Sequence, residues 1–273
     1  MTASEYYRAG QLEDAIAAAT REVKAEPGDV ARRCFLSDLL CFAGDLERAD
    51  RQLDAAAQFS PAPVPAVALR RQLLRAEQAR RQFFTQGRLP EMLDQPSGEL
   101  RLRIKASIAL REGALDAAAK LLAEAETLRP AVSGVCNDRP FDSFSDLDEF
   151  TSSFFEVFTA TGKYYWIPVE CVDRLEFLAP ATTQDLLWRC ARITLRASGG
   201  APPDGVVYFP TLYHGSHANT DNRVKLGRLT DWTGGGEAPY RGLGQRVCAA
   251  GGLEVPILEF TRLEFHQPAQ EKV

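Results

Sequence analysis

The chain has 273 residues, 45% of them hydrophobic and 25% charged, with a net charge of −5. This mixture supports a folded core and excludes a disordered chain, while the acidic balance excludes a protein held to nucleic acid by a general basic field. Apolar stretches stop well short of the roughly 20 residues of a membrane span, the first ten residues carry Glu5 and no apolar leader core, and six cysteines without a C-x-x-C pair read as small buried hydrophobes of a reducing compartment. The expectation is a cytoplasmic protein with no membrane or nucleic-acid partner.

From the N-terminus, Gly10, Leu12, Ala15 and Pro27 recur 34 positions later as Gly44, Leu46, Ala49 and Pro61, and again as Gly113, Leu115, Ala118 and Pro130. That period is the tetratricopeptide one. Gly serves the turn between two antiparallel helices, Ala lets them approach, and Pro stops the second. Leu12 to Glu26 reads as the second helix of a shortened first repeat, and Val30 to Phe42 with Leu46 to Phe59 as a complete hairpin. Pro61, Pro63 and Pro65 stop that hairpin and start a helix from about Ala66 to Gln86. On the latter, Arg70, Arg71, Arg75, Arg80, Arg81 and Arg88 read as a solvated face, with Leu69, Leu73 and Phe84 turned inward. An irregular turn is expected between Gly87 and Gly98, where Pro90 and Pro96 interrupt the pattern. Leu100 to Arg111 and Leu115 to Leu128 restore the hairpin.

Beyond Pro130 the texture changes. Residues 1–130 hold 19 Lys/Arg against 19 Asp/Glu and residues 131–273 hold 13 against 18, so the net charge belongs to the second part. Tyr164 to Val169, Arg192 to Arg196, Val206 to Phe209 and Val255 to Phe260 predict strands from their β-branched and aromatic content. Phe150, Phe154, Val157 and Phe158 predict a helix over Asp148 to Thr159, and Thr183 to Arg189 a further short one. The expected fold is α+β in two domains: a helical hairpin array at 1–130, then an α+β domain at 131–273 with a small curved sheet or partial barrel. An array of barely three repeats needs a C-terminal cap, and the aromatic segment Phe141 to Phe158 is assigned to cover the helix Leu115 to Leu128, giving a rigid junction.

Six ordered blocks in the second part carry a family resemblance. They are Phe141-Asp142-Ser143 through Asp146-Leu147-Asp148 and Glu156; Gly162-Lys163-Tyr164-Tyr165-Trp166-Ile167-Pro168; Asp185-Leu186-Leu187-Trp188-Arg189-Cys190-Ala191-Arg192; Phe209-Pro210-Thr211-Leu212-Tyr213; Leu226-Gly227-Arg228 with Thr230-Asp231-Trp232; and Arg241-Gly242-Leu243-Gly244-Gln245-Arg246. The chain thereby resembles the ImpE/TagJ (SciE-type) family of accessory proteins of the bacterial type VI secretion system. That resemblance implies a cytoplasmic, non-enzymatic helper of the contractile sheath, without cofactor. It would bind the N-terminal helical region of the small sheath subunit, TssB, and influence handling of the sheath by the ClpV unfoldase. His214 and His217 around Gly215-Ser216 depart from the Pro-containing loop of the family pattern.

Two other readings stand beside it. One is a metal-dependent hydrolase built from His214, His217, Asp221 and the carboxylates Asp146, Asp148 and Glu156, although no H-E-x-x-H motif fixes their facing. The other is a repeat adaptor for a different cytosolic complex. Thr233-Gly234-Gly235-Gly236 and Arg241-Gly242-Leu243-Gly244 lack the Gly-Lys-Ser/Thr ending of a phosphate loop and read as turns. No catalytic residue or metal ligand is assigned. The candidate partner surface comprises Arg228, Trp232, Arg241, Asp146 and Asp148, since aromatic and Arg side chains supply much of the energy of interfaces.

Overall fold

The computed structural model describes residues 1–59, 64–197 and 202–266; Pro61 and Pro63, assigned above to a helix stop, lie outside them. Seven helices come first: α1 (Ala3–Arg8), α2 (Leu12–Ala25), α3 (Val30–Phe42), α4 (Leu46–Phe59), α5 (Pro65–Gln86), α6 (Gly98–Arg111) and α7 (Leu115–Thr127). α1 packs on α2, α3 on α4 and α6 on α7. The sequence echo marks these hairpins. Gly10, Gly44 and Gly113 close the first helix of each with φ of 79°, 83° and 75°, a left-handed conformation that only glycine adopts without strain. Ala15, Ala49 and Ala118 are each fully buried between helices. The first hairpin has its own partner helix, α1, only six residues long and capped at Thr2 by a reciprocal bond with Glu5.

α5 departs from a solvated Arg face. Arg70 pairs with Asp38, Arg71 with Asp50 and Asp54, and Arg81 donates to the Gly44 carbonyl. Arg80 is buried. Its place follows from spacing: Leu73, Ala76, Arg80 and Phe83 lie three, four and three residues apart, on one stripe of the helix, and all four are buried.

The described residues also form fourteen strands and one more helix, the first strand, β1 (Glu91–Met92), lying between α5 and α6 and the rest following α7: β2 (Gly134–Cys136), β3 (Arg139–Phe141), β4 (Phe144–Asp146), β5 (Phe154–Thr159), β6 (Tyr164–Pro168), β7 (Val172–Phe177), β8 (Trp188–Leu195), β9 (Asp204–Pro210), α8 (Asn222–Lys225), β10 (Thr230–Gly235), β11 (Ala238–Gly244), β12 (Val247–Ala250), β13 (Leu253–Pro256) and β14 (Arg262–Phe265). They form a nine-stranded sheet in the order β1-β6-β5-β9-β8-β7-β14-β2-β3, a three-stranded sheet β13-β12-β4 and the hairpin β10-β11. Among the described residues only β1 pairs in parallel, with β6, so the Pro-punctuated stretch after α5 supplies an edge strand. The mixed α+β class is the one the sequence implies.

Several boundaries differ from expectation. Asp148 to Thr159 is not a helix but a turn leading into β5. Phe150, Phe154 and Phe158 face the helices, whereas Phe155 and Val157 face the opposite core. A strand buried on both faces shows no alternation, so its aromatic run satisfies a helical template by coincidence. Thr183–Leu186 is a 3-10 turn, and Trp188 and Arg189 already belong to β8. Ile257–Glu259 likewise leaves the predicted strand for a 3-10 turn after β13. The aromatic segment meets two helices: Phe150 packs on Phe83 of α5 at 6.0 Å between ring centres, and Ser152 donates to Glu126 of α7. β11 also lies against α7.

The two left-handed turns at Gly44 and Gly113 give a matched test. A Cβ on Gly44 would stand 2.3 Å from Cδ2 of His217, while one on Gly113 meets nothing within 4 Å. Gly113→Ala is expected to cost only the left-handed strain of about 1–2 kcal/mol. Gly44→Ala is expected to cost clearly more, as measured by urea denaturation of both variants.

Candidate functional site

The acidic residues singled out in the sequence converge on a buried ionic chain where α5 meets the large sheet. β5 places Glu156 between Phe154 and Phe158 on its helix-facing side. Its Oε1 accepts from Arg80 Nε at 2.9 Å and its Oε2 from Arg80 Nη2 at 2.8 Å, a two-pronged pair. Arg246 Nη2 donates to the same Oε2 at 2.5 Å, and the Tyr164 hydroxyl donates to Oε1 at 2.5 Å while accepting from the Trp166 indole. Arg246 reaches on to Asp146 Oδ2 at 2.5 Å. Asp146 also accepts from the Tyr213 hydroxyl, at 2.7 Å, and from the Asp148 N–H. Asp148 in turn holds Arg241 Nε and the backbone N–H groups of Phe150 and Gly242.

A second anchor lies nearby. Arg103 of α6, fully buried, pairs with Glu99 and donates to the Glu149 and Phe150 carbonyls and to Ser152. Guanidinium groups from two helices thus hold the turn and strand that carry the acids.

Burial pushes the Glu156 carboxyl up, but the charges of Arg80 and Arg246 outweigh it and hold the group down at about 2. For Asp146 burial prevails over Arg246, and the carboxyl is raised to about 6. Burial, with Arg80 and Arg241 adding to it, drives the His214 imidazole well below its ordinary range, so the ring is neutral near pH 7. It stacks on Phe84 with ring centres 4.1 Å apart.

The residues of the hydrolase reading are therefore not assembled. His217 faces Gly44 in the α3–α4 turn, and Asp221 caps α8 and pairs with Arg223. Among the described residues no three His, Cys, Asp or Glu side chains stand together as a metal-ligand group. The cavity lined by His214, His217, Arg80 and Ser216 measures about 30 Å³, room for little more than a water and far below the roughly 300–1,000 Å³ of a substrate pocket. The two histidines are half-buried against the helices, rather than solvated.

Of the proposed partner surface, Asp146, Asp148, Arg241 and Trp232 do come together around Tyr213, and Arg228 stands apart. Asp146 and Asp148 are buried and bonded internally. Arg241 is spent on Asp148 and lies over the Phe150 ring. Arg228 donates to the Tyr7 and Arg8 carbonyls, capping the end of α1. Trp232, 38% exposed and 5.7 Å from the Tyr213 ring, keeps an open face. Its neighbour Tyr240, 54% exposed on the paired strand β11, escaped the sequence reading, and Arg80 and Arg246, named there, are not assigned to a site by it. The 3-4-3 spacing on α5 is the signal that could have found Arg80.

Comparison with known proteins assigns this architecture to a class. Residues 138–264 match the model of the ImpE protein family. The chain is 31% identical to the type VI secretion system accessory component TagJ of Pseudomonas aeruginosa PAO1, over 97% of this chain and 91% of that protein. The fold matches the crystal structure of protein VPA1032 from Vibrio parahaemolyticus with a TM-score of 0.89 and 25% identity, over 98% of each chain. The chain belongs to the ImpE/TagJ family of type VI secretion accessory proteins. No helix among the described residues is long and apolar enough to cross a membrane.

Glu156 gives a pH test. Because its folded value of about 2 lies below the ordinary 4.5, its contribution to stability is full above pH 4.5 and is lost as pH falls toward 2. Glu156→Gln leaves two buried guanidinium groups short of an anion and is expected to cost about 3–5 kcal/mol at pH 7. Urea denaturation across pH should show the gap between wild type and variant closing as pH drops through that window.

Proposed function

We propose that the protein is a cytoplasmic, non-enzymatic adaptor that binds the N-terminal helical region of the small sheath subunit, TssB, and so modulates how ClpV handles the sheath. The observation that carries this reading is kinship with a type VI accessory component along 97% of the chain. The chemistry of the candidate site agrees with it. The carboxylates nominated for catalysis are bound by arginines or used as caps, and the imidazoles are packed on Phe84 and Gly44. Such groups hold shape and leave recognition to exposed apolar and aromatic surface.

In this account the helical part, 1–130, and the α+β part, 131–273, act as one body, because one hydrophobic cluster runs from Ala3 through Phe83 to Trp166 and Leu226. A calorimetric titration of the full chain with a peptide of the TssB N-terminal helix is expected to saturate at one peptide per chain. No heat at micromolar concentrations would count against the adaptor. Stoichiometric zinc or manganese in protein purified without added metal, lost on replacing His214 and His217 by Ala, would restore the hydrolase.

A further inference from the structure

Between α7 and the β10–β11 hairpin runs a cleft whose two cavities, of about 490 and 240 Å³, share Leu147, Glu149 and Tyr240. Its apolar lining includes Leu122 on the helix side and Trp232 on the hairpin side. The charge of the lining is one-sided. Four carboxylates, Glu126, Asp146, Glu149 and Glu254, line the two cavities, and no Lys or Arg does. Glu126 pairs with Arg103 and Arg129, and Asp146 with Arg246. Glu149 accepts from the Tyr240 N–H at 3.0 Å, and neither it nor Glu254 enters an ion pair among the described residues.

Leu147, Trp232 and Tyr240 thus form an apolar floor with uncompensated negative charge at its rim. An acidic occupant is repelled there, and a basic one gains both steering and pairing. The walls also select its form. Ala119 and Ala123, one turn apart on α7, leave room for another helix to approach closely. Gly234 and Gly235, with φ of 94° and 97°, and the register shift between Thr233 and Gly235 break up β10 as a template for an added strand.

We propose that this cleft docks an amphipathic helix that presents apolar side chains to Leu147, Trp232 and Tyr240 and Lys or Arg to Glu149 and Glu254. The assignment rests on the adaptor reading and adds to it the surface and the chemistry of the partner.

The fluorescence of the protein reports on the cleft, because Trp166 and Trp188 are buried and Trp232 is not. The probe is a synthetic Leu/Lys amphipathic helix of about 18 residues, five turns long, with a Leu/Glu peptide of the same pattern as control. The Leu/Lys peptide should bind the full chain and shift Trp232 emission to the blue, and the control should not. Tyr240→Ala, and separately the pair Glu149→Gln with Glu254→Gln, should each weaken binding at least tenfold with unchanged circular dichroism. Equal binding of both peptides, or affinity untouched by these variants, overturns the proposal. So does self-association of the peptide-free chain that Tyr240→Ala abolishes, since the occupant would then be a second copy. Titrating the TssB peptide against the same variants separates the two claims. If it binds wild type and variants alike, the cleft is wrong and the adaptor stands; if it fails to bind while the Leu/Lys peptide occupies the cleft, the reverse holds.

Discussion

One carboxylate, Glu156, sets the geometry on which the rest of the molecule depends. It lies 2% exposed on the helix-facing side of β5, with Arg80 from the helical array on one side and Arg246 from the β11–β12 junction on the other. Removing two opposite charges from water is expensive, and the interior repays it only where geometry is good and the remaining donors are satisfied. Here they are: Arg80 spends a further N–H on the Leu212 carbonyl, and Tyr164 and Trp166 complete the carboxylate's shell. Such a contact adds little net stability over an apolar one, but it fixes register. A helix sliding along the sheet by one turn would bury an unpaired charge.

This constraint explains how the exposed elements are placed. Arg246 carries the fixed point to Asp146, Asp146 and Tyr213 carry it to Val247, and Asp148 holds Gly242 and Arg241 on β11. The β10–β11 hairpin, with Trp232 and Tyr240, is therefore positioned against α7 by a chain of charged hydrogen bonds that starts at the helical array. In an adaptor, a recognition surface rigidly held before binding loses less entropy on complex formation.

The helical part was legible because its signals are local. A Gly that must turn left-handed and an Ala squeezed between helices each state their own requirement at a fixed spacing, as Gly44 and Ala49 do, and a Pro at a helix start, Pro65, states its own locally. The ordered blocks of the second part were legible as kinship. What escaped is non-local. Phe154 and Phe158 serve a different core from Phe155 and Val157, a division made by the sheet and invisible in a run of aromatics. Arg80 looked like one more solvated cation because its partner, Glu156, lies 76 residues away. Asp146 and Asp148 looked available for partners or metal for the same reason: Arg246 and Arg241 are distant in sequence and adjacent only in the fold.

A double-mutant cycle between Arg80 and Glu156, using Arg80→Met and Glu156→Gln and followed by circular dichroism for the helices and tryptophan emission for the sheet, tests the central claim most directly. The account predicts a coupling energy of about 1–3 kcal/mol, with both probes reporting one shared transition in every variant. Coupling near zero, or helices that melt apart from the sheet with wild-type midpoint, would contradict it.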